Sequence, residues 1–244
     1  MSAKALHIAP IAAKDANNLV KRLHYSGKVV NNSQLHFGVY WNGKLEGVLQ
    51  FGPSMVKSQM IGLVLGTKWT GFIEINRMAF SEVLPRNSES RAISVCMNLI
   101  RKNYPHIEWV LSFADGTQCG DGTIYRAAGF ILTDVRKNTA IIKLPSGKIA
   151  THMTYEKGKH ILENNGKASA PVGSKKLPGF MFRYIYFLNP AARKRLTVPI
   201  LPFSAIDEAG AGMYKGKPRV KQAMASQGHS GGVAPTHTLQ SQAD

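Results

Sequence analysis

The chain of 244 residues is 44% hydrophobic, and its 31 Lys and Arg against 14 Asp and Glu give a net charge of +17. That apolar share supports a real core and excludes wholesale disorder, and no apolar stretch approaches the roughly 20 residues that span a bilayer. The N-terminus lacks the apolar stretch of a signal peptide, and Cys96 and Cys119 have no CxxC spacing, so we read a reducing, cytosolic-type protein without disulfides. The stretch from Leu201 onward holds four basic and three acidic residues, so +16 of the charge belongs to the first 200 residues. A positive field of this size on the folded part attracts polyanions, nucleic acid first among them. The bland alternative is a merely basic, soluble protein.

In chain order, "ALHIAPI" (5–11) reads as a first strand and "AKDANNLVKRLHYSG" as a helix with Leu19, Val20 and Leu23 on one side. "LHFGVYW" and "LEGVLQFG" are two strands joined at Asn42-Gly43, a hairpin dipeptide. A loop-rich stretch from Pro53 to Thr70 precedes the strand "GFIEINRMAF" (71–80). "SESRAISVCMNLIRKNY" (88–104) has helical spacing, and "IEWVLSF" is the near-continuous apolar run of a strand buried on both faces. A short helix around Tyr125 leads into "FILTDV", and "NTAIIKLPSGKIATHMTY" reads as a hairpin turning at Pro145-Ser146-Gly147. Beyond Tyr155 a polar segment precedes one more aromatic strand, "FMFRYIYFL". The pattern predicts an α/β (α+β) core over 1–155 with a mixed sheet flanked by helices. A basic extension packed on the core covers 156–203, and an extended or disordered tail covers 204–244.

The run "WVLSFADGTQCGDGTIYRAAGF" (109–130) ends a buried strand on Asp115 and opens onto Gly116, Gly120 and Gly122. Loops at the carboxyl ends of strands line ligand crevices in α/β sheets, and glycine lets backbone come close to a ligand. An Asp-Gly turn, with Asp115 as its cap and Gly116 left-handed, is the plain alternative.

"TIYRAAGF" (123–130) resembles the Tyr-x-x-x-Gly-Phe signature of the GNAT acetyltransferase fold. Taken together and in order, "LHYSG" (23–27), "INRMAF" (75–80), "SESRAIS" (88–94) and "SFADGTQCGDGTIYRAAGF" (112–130) resemble the Mom DNA-modification proteins of bacteriophages. The resemblance runs from about Ala5 to Leu188. It implies a GNAT-like transferase that places a carbamoylmethyl (acetamido) group on the exocyclic amine of adenine, protecting the DNA from restriction in the cytoplasm of an infected bacterium. It further implies an association with iron and with acetyl-CoA or another small-molecule donor. Carried over residue by residue, its functional positions are His24, Tyr25, Arg77, Ser90, Asp115 and Tyr125. One departure stands out. Where an acetyltransferase has a glycine-rich loop for the CoA pyrophosphate, this chain reads "PRNSESRAIS", without glycine.

Each position also has a structural reading. Asp115 either deprotonates and orients the amine or binds a metal, unless it only caps a turn. Tyr125 protonates a leaving group or packs on Phe130, and His24 is a ligand, a base or a helix-end cation. With Tyr25 these residues supply the nitrogen and oxygen donors suited to iron. Arg77, placed after Ile73 and Ile75 on one strand face, braces Asp115, binds phosphate or forms a buried ion pair. Ser90 positions the donor or caps its helix. Double-stranded DNA would lie on a basic rail from Lys157 to Arg195 that includes Lys175, Lys176, Arg183, Arg193, Lys194 and Arg195, with the adenine flipped out or reached in open DNA. Tyr184, Tyr186 and Phe187 alternate along a strand, so only half of them are free to stack. The competing functions are a conventional acyl-CoA-dependent N-acetyltransferase and a DNA-binding protein without catalysis.

Overall fold

The structure, a computed structural model, describes residues 2–151, 171–214 and 217–218. β1 (His7–Pro10) leads into α1 (Ala13–Leu23), which buries Ala16, Leu19 and Val20 on the face that three- and four-residue spacing creates. β2 (Leu35–Trp41) and β3 (Lys44–Gly52) form the expected hairpin. Asn42 and Gly43 take φ of 48° and 76°, as a two-residue turn matched to strand twist requires. The connection expected as a loop contains a short helix, α2 (Lys57–Met60), and a 3-10 turn, Ile61–Leu63. β4 (Phe72–Phe80), α3 (Ser88–Asn103), β5 (Trp109–Asp115), α4 (Thr123–Ala127) and β6 (Ile131–Lys137) follow as expected. β7 (Ile141–Lys143), β8 (Ile149–Thr151) and β9 (Lys175–Lys176) form a small separate sheet. β10 (Phe180–Phe187) precedes a 3-10 segment, Pro190–Arg195, then α5 (Ser204–Glu208) and a two-stranded ribbon, β11 (Met213–Tyr214) with β12 (Lys217–Pro218).

The main sheet has the order β1-β2-β3-β4-β5-β10-β6. Its neighbours run antiparallel except β4 and β5, which are parallel and pair only over Phe72–Glu74 and Trp109–Leu111. Past that point β4 stays with β3 and β5 stays with β10, so the sheet opens between them. α3 and α4 cover one face, where Ile93, Met97, Ile100 and Tyr125 pack against Phe51, Val110 and Phe182. α1 covers the other face beside Val48 and Ala79, next to a second cluster of Phe72, Trp109, Leu111 and Ile185 under the β3–β4 connection. The fold is thus a mixed, mostly antiparallel sheet flanked by helices, and both cysteines are free.

Three placements differ from the sequence reading. First, β10 lies inside the main sheet, between β5 and β6, so the chain beyond residue 155 completes the core and does not merely pack on it. Second, ordered structure continues past Ser204. α5 buries Ile206 completely, and Ala211 is also buried, so one well-placed isoleucine outweighs a small, polar composition. The part of the expected tail from 219 onward lies outside the described residues. Third, Arg77 does not continue the face of Ile73 and Ile75. Gln50 pairs with Arg77 and Phe51 with Ile75, which leaves Asn76 as a β-bulge. The extra residue switches faces, so Arg77 shares the α1 side with Gln50 and Val48.

Two of the glycines after Asp115, Gly116 and Gly122, serve packing. Gly122 has φ 82°, and a Cβ there would sit 2.7 Å from Cζ of Tyr184, a fully buried ring. A Cβ on Gly116 would meet the Phe182 ring at 2.7 Å and the Phe180 carbonyl at 3.0 Å. Gly116 is not left-handed. These residues make room for β10, correcting the expectation that they make room for a ligand. Gly122→Ala should therefore cost about 2–4 kcal/mol, summing left-handed strain and overpacking. Urea unfolding measures it, and a variant as stable as the parent would show that Tyr184 can move aside.

Candidate active site

The parting of β4 from β5 places chemistry on both sides of a gap. Glu74, opposite Leu111, is the last β4 residue paired across it. Its carboxyl hydrogen-bonds the buried Ser54 hydroxyl at the start of the β3–β4 connection. Burial raises its pKa above the usual carboxylate range, and Ser54 and Arg77 partly offset that. A carboxylate so placed is a better proton acceptor than one in water.

Arg77 donates from Nε to the Lys28 carbonyl at 3.0 Å and from Nη1 to the Asn76 carbonyl at 2.7 Å. It therefore braces the chain after α1 and lends its charge to Glu74, His24 and Tyr25. His24 ends α1, and burial, then Arg77, lower its pKa to about 4. Its Nδ1 accepts the Ser26 N–H at 3.1 Å and lies 2.8 Å from the Ser26 hydroxyl. A backbone N–H can only donate, so the neutral ring carries its proton on Nε2. That disposition suits a hydrogen-bond donor and does not suit a metal ligand, a base or a helix-end cation. Because the unfolded histidine titrates near 6.5 and the folded one near 4, the unfolded state binds the extra proton between those values. Stability should thus fall as pH drops from about 6.5 to 4. His24→Asn should flatten that slope in melting temperature against pH, and an unchanged slope would assign it to another group.

Tyr25 packs on His24 with ring centroids 4.2 Å apart and the ring planes tilted by 31°. Its surface is 55% exposed, yet its hydroxyl end reaches the Cys119 thiol and the neighbourhood of Asp115 and Tyr125. Loss of water around the hydroxyl, then Cys119 and Asp115, raise the phenol's pKa, and Arg77 opposes them. Cys119 is pushed up to about 11 by burial and Asp115, so it is a thiol at neutral pH. Tyr125, buried on α4, is pushed up to about 12, first by burial, while the fully buried Ser112 hydroxyl beside it acts the other way. Both phenols therefore keep their protons.

Asp115 does cap its turn. Oδ1 accepts the Thr117 N–H at 2.9 Å and Asn138 Nδ2 at 3.1 Å, and Oδ2 accepts Gln118 Nε2 at 3.0 Å. Gly116 N–H donates to Phe180 O at 2.8 Å, tying the same turn to β10. Ser90 donates to the Asn87 carbonyl at 3.2 Å within its own helical turn, apart from this cluster's contacts. Asn87, at φ 69°, takes a left-handed conformation usual for glycine, but the first turn of α3 carries Glu89, a poor neighbour for a pyrophosphate.

The structure thus brings together His24, Tyr25, Arg77, Asp115 and Tyr125, and adds Glu74, Cys119, Ser112 and Ser54. Glu74 was detectable as the one acid in an apolar strand; Cys119 and Ser112 carried no such signal. The iron expectation does not fit this donor set. Among the described residues no three His, Cys, Asp or Glu side chains group to hold a metal. His24 Nδ1 is occupied, and Asp115 is bonded by three donors. A hollow of about 470 Å³ lies elsewhere, lined by Pro10, His36, Asn103 and Tyr104 among others.

The DNA rail is not one face. Lys157, Lys159 and Lys167 lie outside the described residues. Lys175 and Lys176 are exposed on the small sheet. Arg183 bonds Thr133 through Nε at 3.0 Å and Nη2 at 3.1 Å, and Arg195 ion-pairs Glu108 and donates to the Leu65 carbonyl at 2.7 Å. Arg193 and Lys194 are exposed at the opposite end of β10 from Lys175 and Lys176. Tyr184 is buried, and Tyr186 packs on Phe130 with its hydroxyl bonded by Arg101.

The parted parallel pair thus holds a half-buried carboxylate and two protonated phenols around one gap, a proton acceptor and proton donors in one place. The chain belongs to the Mom protein family, whose sequence profile matches residues 5–205. It is 35% identical over 203 residues to Methylcarbamoylase mom of Escherichia phage Mu, covering 81% of each chain. Solved chains of GNAT-like fold are also similar in course. One is a GNAT family acetyltransferase from Elizabethkingia anophelis (13% identity, 75% of this chain, 97% of that one, TM-score 0.42). Another is the ribosomal-protein-S18-alanine N-acetyltransferase from Escherichia coli (10% identity, 75% and 94%, TM-score 0.44). Among the described residues no helix is long and apolar enough to cross a membrane.

Proposed function

We propose that the chain is a DNA adenine-modifying transferase that places a carbamoylmethyl group on the exocyclic amine, in the cytoplasm of a phage-infected host. The observation that carries this reading is a proton-accepting carboxylate facing protonated phenols at one gap, in a chain 35% identical to Methylcarbamoylase mom. The amine of adenine is a weak nucleophile because its lone pair is shared with the ring. In the proposed step a bond forms from that nitrogen to the methylene carbon of an activated carbamoylmethyl donor, and the donor's bond to its leaving group breaks. Glu74 takes the amine proton, and Tyr25 or Tyr125 gives a proton to the leaving group. Asp115 holds the 116–119 turn, and with it Cys119, against Tyr25. Arg77 holds the chain after α1. The buried base must leave the duplex to reach this gap, so the target adenine is flipped or already unpaired.

The acetyl group of acetyl-CoA has no leaving group on its methyl carbon and no amide nitrogen, so this step takes another small-molecule donor, and Glu89 in the first turn of α3 speaks likewise against a CoA pyrophosphate seated there. Iron is not assigned a step, for the reasons of donor chemistry given above. A direct test is restriction of plasmid DNA from cells expressing the chain. Enzymes that cut adenine-containing sites should be blocked, and complete cleavage at every such site would contradict the proposal.

A further inference from the structure

The connection between β3 and β4 begins in the candidate site, where Ser54 hydrogen-bonds Glu74, and ends on the outside of the same sheet face. It is stapled to the segment after β10. Val64 bridges Leu196, Leu65 N–H donates to the Arg195 carbonyl at 2.8 Å, and the Thr197 hydroxyl donates to the Gly62 carbonyl at 2.8 Å. The two segments therefore form one surface. Neither 53–73 nor 190–206 contains an acidic residue. Glu108, an acid placed against them, is paired with Arg195.

On this surface Trp69 is 59% exposed and Leu65 is 68% exposed. The Lys57 ammonium stands over the Trp69 ring, 4.9 Å from its centroid. Lys68, Arg193 and Lys194 are exposed around it. An exposed indole among exposed cations, on two segments that carry no carboxylate of their own, suits a phosphodiester chain, which supplies negative charge and sugar or base faces together. A protein partner of ordinary composition has no matching run of anions.

We propose that this surface grips duplex DNA beside the flipped adenine, with Lys68, Arg193 and Lys194 on phosphates and Trp69 against a sugar or base. The inference rests on the DNA reading above and adds where the DNA runs. Phe72 stacks on Trp109 at the far end of β5 from Asp115, six residues along the strand. At about 3.3 Å per residue this places the grip about 20 Å from the turn at Asp115, roughly half a turn of duplex away.

The test is equilibrium binding of the full chain to a labelled mixed-sequence duplex over a range of salt concentrations. Trp69→Ala should weaken binding about tenfold. Lys68→Glu with Arg193→Glu should weaken it further and make the log–log salt slope shallower by about 1.8, the loss of two phosphate contacts. The charge pair also carries the test should Trp69→Ala fail to fold, and an unchanged melting temperature certifies each variant. If the wild type binds duplex and both variants bind equally well with the same slope, the surface is wrong and the DNA reading stands. If the wild type itself does not bind duplex, both fall.

Discussion

Glu74→Gln should lower the yield of modified adenine per unit time by about 10²–10⁴-fold, the usual weight of a positioned proton acceptor. The same variant should be at least as stable as the wild type near neutral pH. The reason is that burial holds the Glu74 pKa above its unfolded value of 4.5, so the charged carboxylate opposes folding. The folded state binds more protons than the unfolded one above that value, so this group's contribution to stability falls as pH rises through the raised pKa. The neutral amide lacks that penalty and keeps an acceptor for Ser54. Loss of activity with no loss of stability would separate a reacting group from a packing group. A variant that modifies DNA at the wild-type rate would remove Glu74 from the chemistry. His24 acts with the opposite sign below pH 6.5, so each slope is read against its own substitution.

Asp115→Ala is the second large effect, of a different kind. It strips acceptors from the Thr117 N–H and from the Gln118 and Asn138 amides. Leaving such donors unmet costs about 1–3 kcal/mol. The turn would no longer hold Cys119 against the Tyr25 hydroxyl, and a displacement of about 1 Å near reacting atoms commonly costs about 10²-fold in rate. Asp115→Asn keeps Oδ1 for Thr117 and Asn138, and should recover most of the stability and of the rate. If the Asn variant is folded but as inactive as the Ala variant, the Asp115 charge itself takes part in the reaction.

These two residues show what was readable. Asp115 stood out because a carboxylate closed an apolar run beside glycine, and both its turn-capping and its place near the gap followed from that pattern. Its glycines misled, because the rings that crowd them, Phe182 and Tyr184, belong to a strand some 60 residues further on. Pairing across that distance leaves no local trace. For the same reason β10 read as an appendage when it is central. Arg77 was found but given the wrong face, since alternation counts on an unbroken pleat and the bulge at Asn76 breaks it. The hairpin at Asn42-Gly43 was legible because the dipeptide alone dictates the left-handed backbone. Glu74 reads only as a strand residue, although a lone acid between Ile73 and Ile75 has to be explained by a site or an ion pair.

The most direct measurement is mass spectrometry of nucleosides from the DNA of cells expressing the chain, beside cells expressing Glu74→Gln at the same level. The account predicts a deoxyadenosine bearing a carbamoylmethyl group on its exocyclic amine in the first sample and almost none in the second. Ordinary deoxyadenosine alone in both samples, with the wild-type chain folded in phage-infected cells that supply any missing donor, would contradict it.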